Sequence, residues 1–193
     1  MVNMTENNRS LLLATALHLF AERGYDAVGV QEIVEAVHLT KPTLYHYFGS
    51  KTGLLQAILD GEGQVLSHRL AQASAYHGDL PQTLFQVATT YFEHARNNSD
   101  WHRLQLALWF APPESDGHRL SAALHRRVFA QIEHLFEQAA AQHGNMRGRQ
   151  QLYATTFLGL LNNCIGLALD GSLTLDEALT RRIVHQFQHG IYS

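Results

Sequence analysis

The sequence predicts an all-α protein made of a small amino-terminal head of three helices and a longer helical body, with the boundary between residues 1–52 and 53–193. Three observations predict it. Apolar residues recur at i, i+3, i+4 and i+7 along almost the whole chain. No segment alternates apolar and polar residues long enough to make a convincing strand. The breaks between periodic segments fall where Gly, Pro, Asn and Asp cluster. With 193 residues, 46% of them hydrophobic, the chain is long enough to bury a proper core.

The elements follow in order. Residues 5–23 form a first helix, opened by Thr5 and Glu6 and stopped by Gly24, with Leu12, Leu13, Ala16, Leu17 and Phe20 on its inner side. Arg9 and His18 lie off that stripe and read as solvated, with a phosphate as the alternative partner of Arg9; Tyr25 reads as a packing anchor. In residues 30–37, Val30, Ile33, Val34 and Val37 share one helical face. His38 and Leu39 make the turn. Thr40 is a good N-cap, and Pro42 sits in the first turn of the next helix, where its missing N–H costs little. That helix, 41–47, buries Leu44 and Phe48 and turns Lys41, Thr43, Tyr45, His46 and Tyr47 outward.

Ser50 reads as the N-cap of a long connector over 52–76, carried inward by Leu54, Leu55, Ile58, Leu59, Val65, Leu66 and Leu70. Gly61 and Gly63 weaken its middle by about 1 kcal/mol each relative to Ala, which suits a bend. Helices follow over 81–96, over 101–110 with Asp100 as cap, over 118–142 with Leu120 and Leu124 inward, over 149–169 and over 174–191. The proline pair at 112 and 113 marks the clearest loop. In the helix over 149–169, Leu152, Thr156, Gly159, Leu160, Asn163, Gly166 and Leu167 share one side, and the two glycines let another helix come close.

Charge and composition exclude several classes. The net charge is −3, and neither side of position 52 is strongly basic. The single cysteine, Cys164, rules out an internal disulfide framework and suits a reducing cytoplasm. No secretory segment follows Met1 and no uninterrupted apolar run reaches about 20 residues, so a signal or spanning helix is not expected. No phosphate-binding loop, nucleophile elbow or dinucleotide fingerprint occurs, so neither an enzyme nor a cofactor is expected. Locally the picture differs. Residues 36–59 hold no carboxylate but hold both of the chain's lysines, Lys41 and Lys51. A short helix that exposes two tyrosines, a histidine and a lysine is built to touch something, and a helix-turn-helix seated in a major groove is the direct reading. Lys51, at the positive end of its helix, would gain from a docked phosphate.

At this point a family resemblance emerges. Phe20-Ala21-Glu22-Arg23-Gly24-Tyr25, then Ile33, then Thr40-Lys41-x-Thr43-Leu44-Tyr45-x-Tyr47-Phe48-x-Ser50-Lys51-x-x-Leu54-Leu55 resembles the DNA-binding domain of the TetR family of transcriptional regulators. The resemblance covers about the first quarter of the chain. It implies an all-helical homodimer that binds a double-stranded operator, usually as a repressor, and a body that binds a small-molecule effector and pairs through its last two helices. It carries DNA contact onto Thr40, Lys41, Thr43, Tyr45, His46, Tyr47 and Lys51. Five positions depart from the family pattern: His38 and Pro42 stand where glycine is usual, Val28 and Gly29 where hydroxyl residues are usual, and Thr52 where an acid often follows the lysine. Gly29 is therefore expected to offer only its backbone N–H.

An effector pocket of the usual kind, apolar with a few orienting polar groups, draws its candidates from His68, Tyr91, Trp101, Leu104, Trp109, Phe110, Phe129, Asn162 and Asn163; a small apolar or aromatic compound is the expected effector. Among thirteen histidines, His185 and His189 stand at i, i+4, a spacing that can grip a metal ion, but no third ligand is near in sequence and no metal is expected. The alternative reading is a helical small-molecule-binding or metal-sensing protein that has lost operator binding through Val28, Gly29 and His38.

Overall fold

The computed structural model describes residues 4–190, and side chains from position 6 onward. Among the described residues there are nine α-helices and no strand: α1 (Met4–Arg23), α2 (Val30–Ala36), α3 (Lys41–Phe48), α4 (Lys51–Ala73), α5 (Leu80–Asn97), α6 (Ser99–Trp109), α7 (Asp116–Gln142), α8 (Gln150–Leu169) and α9 (Glu177–His189). The all-α expectation holds.

The chain divides into two compact units, Met1–Gly63 with Asp100–Ala123, and Gln64–Ser99 with Leu124–Ser193. Helices α4 and α7 each contribute to both. Packing thus groups α6 and the start of α7 with the head helices, a grouping made by contacts distant in sequence. In the first unit Leu12, Phe20, Ile33, Leu44, Leu54 and Trp101 are fully buried. Each such large side chain contributes about 1.5–3 kcal/mol by leaving water. The Trp101 indole N–H donates to the Ile58 carbonyl at 3.3 Å, so the ring's one polar atom is satisfied.

In the second unit α5 packs on α9 and α8. Asp79 caps α5 by accepting from the Gln82 N–H at 2.9 Å, and Asp176 caps α9 by accepting from the Leu179 N–H at 2.7 Å. Phe136, Phe157 and Phe187 form an aromatic cluster with centroids 5.0–6.4 Å apart.

Several sequence expectations need correction. Asp100 does not cap α6, which begins one residue earlier at Ser99; its carboxylate instead meets His18 Nδ1 at 2.9 Å. The last helix starts at Glu177, because Asp176 provides the cap that Thr174 does not; its expected end at 191 lies outside the described residues, as does the side chain of Thr5. Val65, expected inside, is 49% exposed, and Leu120 is only half-buried. Helix α4 runs through Gly61 and Gly63 without interruption. By length and mean hydropathy alone α8 is apolar enough to cross a membrane, although polar residues keep it from being an uninterrupted apolar run.

Candidate nucleic-acid interface

Gly29, with extended backbone, stands at the N-cap position of α2 and provides no side-chain cap. It ends in a turn where His38 takes φ +55°. The Leu39 N–H reaches back to the Val34 carbonyl at 2.8 Å and the His38 N–H to that of Glu35 at 3.1 Å, a closure that demands the left-handed region at 38. A β-carbon in that region costs about 1–2 kcal/mol, which is why glycine is usual there and histidine is a strained choice.

Thr40 occupies the N-cap position of α3, but its hydroxyl does not cap a backbone N–H; it pairs with the Thr43 hydroxyl at 2.9 Å. The cause is geometric: one hydroxyl oxygen sits within reach of another, and Pro42 removes one of the N–H groups a cap would serve. Leu44 and Phe48 are buried, and they hold the helix to the unit. Lys41, His46 and Tyr45 are exposed, the tyrosine at 44%. Thr43 and Tyr47 are half-buried. The His46 ring stands edge-on to Tyr47 at 5.4 Å, and Tyr47 lies 6.1 Å from Phe48, so the outer aromatics are braced by the inner one. The Arg9 guanidinium lies 5.4 Å over the Phe48 ring and adds a cation beside the same end of α3.

Ser50 caps α4 as expected, accepting from the Gly53 N–H at 2.9 Å. Gly53 is a residue that sequence reasoning passed over. A β-carbon there would stand 2.0 Å from the Phe48 carbonyl oxygen, so no other residue fits the close approach of α3 to α4. Its signal in the sequence was its place three residues after the cap. Lys51 is half-buried, not solvated: its Nζ lies 4.2 Å from the Tyr25 ring centre. Burial pulls its ammonium below the usual lysine value, against the pull of Asp26.

The eight expected DNA contacts, Gly29 and those on α3 and at the start of α4, therefore lie in one stretch of one unit, with Tyr45, His46 and Lys41 outermost. The nine expected effector residues are divided between the two units. Trp101 and Leu104 are fully buried in the first unit, where Trp109 is 48% and Phe110 82% exposed. In the second unit the buried Tyr91 hydroxyl donates to Asn162 Oδ1 at 3.0 Å, and burial pushes the phenol far above its ordinary range. Phe129 is half-buried, Asn163 points to the exposed side of α8, and the exposed His68 pairs with Gln72. His185 and His189 stack at 4.5 Å on α9, and among the described residues no group of three or more metal-ligating side chains forms. The Cys164 thiol is buried, and burial raises it.

Comparison with known proteins agrees with this geometry. Residues 12–58, spanning α1 to the first part of α4, match the family described as bacterial regulatory proteins, tetR family. Over its whole length the fold matches a TetR-family transcriptional regulator from Bordetella parapertussis with a TM-score of 0.79 and 26% identity, covering 97% of each chain. Residues 12–58 thus carry the DNA-binding head of the TetR family, on a fold similar to that of a TetR-family regulator. Among curated relatives, the transcriptional activator FasR of Mycolicibacterium smegmatis is 32% identical over 51% of this chain and 45% of its own. The transcriptional repressor KstR2 of Rhodococcus jostii is 36% identical over 44% of this chain and 42% of its own. The chain thus spans under half the length of each of these two relatives. These TetR relatives are transcription regulators, not enzymes.

Proposed function

We propose that this chain is a homodimeric transcriptional regulator, a repressor, whose paired α3 helices read two half-sites of a palindromic operator and whose body releases the DNA on binding a small apolar or aromatic effector. The observation that supports it best is the outer face of α3: Lys41, Tyr45 and His46 exposed, Leu44 and Phe48 buried, and no carboxylate between positions 36 and 59. Thr43, Tyr45 and His46 are assigned to bases or sugars. Lys41, Tyr47, Lys51 and the Gly29 and Thr40 backbone are assigned to phosphates, where free N–H groups at helix starts favour an anion.

The division of labour is residues 1–52 for DNA and 53–193 for effector and dimer. Leu152, Thr156, Gly159, Asn163 and Leu167 make an exposed stripe of small and apolar groups along α8, suited to a four-helix contact with a second copy through α8 and α9. The Tyr91–Asn162 pair supplies a buried polar handle in apolar surroundings, the kind of group that orients a ligand. Curated relatives include both an activator and a repressor, so repression is tested directly by a reporter placed behind the operator. A regulator of DNA works in the cytoplasm.

The test is selection of duplexes from a random-sequence pool, followed by binding titrations at several salt concentrations. The expected winners are two-fold symmetric, with half-sites about one helical turn or more apart. Lys51→Ala should reduce the salt slope by about one unit at every sequence bound. Recovery of no sequence preference and no salt dependence would reject the proposal.

A further inference from the structure

Lys51 has a second partner built into the fold. Its Nζ lies 4.2 Å from the centre of the Tyr25 ring and 5.8 Å from that of Phe20. Tyr25 is itself held from several sides. It is 7% exposed, its ring stands edge-on to Phe20 at 5.1 Å, and its hydroxyl lies 3.4 Å from Thr52 Oγ1. Burial raises the phenol, and the Asp116 carboxylate, on the first turn of α7, adds to that rise. The neighbouring Gly117 closes the cluster. A β-carbon there would stand 2.5 Å from Leu108 Cδ2, on α6, and 3.8 Å from Tyr25 Cδ1. The ring that carries the DNA-side ammonium thus lies beside Gly117 in the first turn of α7, close enough that a β-carbon there would touch it.

We propose that Tyr25 is a positioning residue: it holds the Lys51 ammonium on its face in the DNA-free protein, and the first turn of α7, through Gly117, sets how firmly it is held and so how readily Lys51 meets a DNA phosphate. The inference rests on the DNA-binding reading above. An ammonium over an aromatic face gains about two- to fivefold in an equilibrium at an exposed site and tenfold or more when desolvated. A phosphate at the start of α4 offers an attraction of similar size. Two comparable attractions for one cation make a balance that a small shift of the ring can tip. A lysine standing free in solvent would offer no such control.

Because the chain has only two lysines, labelling lysine with carbon-13 at Cε gives two side-chain signals, and the one lost in Lys51→Met is assigned. That signal is expected upfield, under the ring current of Tyr25, in the wild type. It should stay upfield in Tyr25→Phe and move to the position of Lys41 in Tyr25→Leu. Gly117→Ala should displace it, and addition of a duplex taken from the selection above should remove the ring-current shift. In titrations Tyr25→Leu should bind that duplex about two- to fivefold more tightly, with the gain abolished in a Lys51→Met background and wild-type affinity restored by Tyr25→Phe. If Tyr25→Leu fails to fold, Gly117→Ala carries the same comparison, its change in affinity vanishing with Lys51→Met. An unshifted Lys51 signal in the wild type, or affinity changes that persist without Lys51, would overturn the proposal while leaving DNA binding intact. A wild-type protein that binds no duplex overturns the DNA reading and this inference together.

Discussion

Helices α3 and α8 each bury one face and leave the other bare, yet the bare faces carry opposite chemistry. On α3 the exposed residues are a lysine, a proline, a tyrosine and a histidine; on α8 they are leucines, threonines, a glycine, a glutamine and an asparagine. An eight-residue helix is too short to be stable by itself, so Leu44 and Phe48 do the anchoring and the outer residues are released from structural duty. Their donors and ring faces suit a polyanion. The α8 stripe instead leaves Leu152 at 62% and Leu167 at 42% exposed, and apolar area left in water costs about 25 cal/mol per Å². It suits another helix.

That contrast can be broken from either side. The largest effect is expected from Gly159→Leu. A β-carbon at Gly159 meets nothing within 4 Å in this chain, so the protomer should fold normally while the covered face is blocked. Sedimentation should show monomers, and operator affinity should fall on the order of 100-fold or more as two linked half-sites become one. Next comes Tyr45→Ala on α3, which should cost about 1–3 kcal/mol at the selected operator and much less at random DNA, leaving the dimer unchanged. If Gly159→Leu stays dimeric, or Tyr45→Ala weakens all sequences equally, the assignment of the two faces is wrong.

Smaller effects sharpen the frame around α3. His38→Gly should stabilise the chain by up to about 1 kcal/mol in urea melts, since relief of the left-handed strain outweighs the added entropy of the unfolded chain. The smallest effect is pH-dependent. His18 Nδ1 meets Asp100 at 2.9 Å and Nε2 meets Glu22 at 3.5 Å, and only the imidazolium can donate to both. The hydrogen bond to Asp100, then the Glu22 charge, raises the His18 pKa above 6.5. With the folded value raised, this contribution is fully present below pH 6.5 and is lost as pH rises through the folded value. Asp100→Asn should flatten that part of the dependence of melting temperature on pH between 5.5 and 8.5.

The head was legible because its signals are local. The spacing of Ile33, Val34, Leu44 and Phe48, the cap at Ser50 and the missing carboxylates all lie within thirty residues, and the structure keeps them in one stretch. The conflict at His38 was readable for the same reason: one turn dictates one φ. The effector candidates were not legible together. Trp101 and Asn162 were chosen as large or polar residues in apolar helices, but which apolar surface each meets depends on contacts made far along the chain. Trp101 found the Ile58 carbonyl, 43 residues away, and Asn162 found Tyr91, 71 residues away. Lys51 shows the same limit at short range, since its place at a helix start was predictable and its rest on Tyr25 was not.

By itself the sequence determined the all-α class, most of the inward faces and the chemistry offered by α3, because helical period, caps and charge are properties of neighbours along the chain. Only the tertiary structure decided that Gly53 must be glycine, that Asp100 serves His18 instead of capping its own helix, and that Gly117, Tyr25 and Lys51 meet. Those outcomes depend on distances between elements, and packing sets such distances only after the hydrophobic faces have found one another.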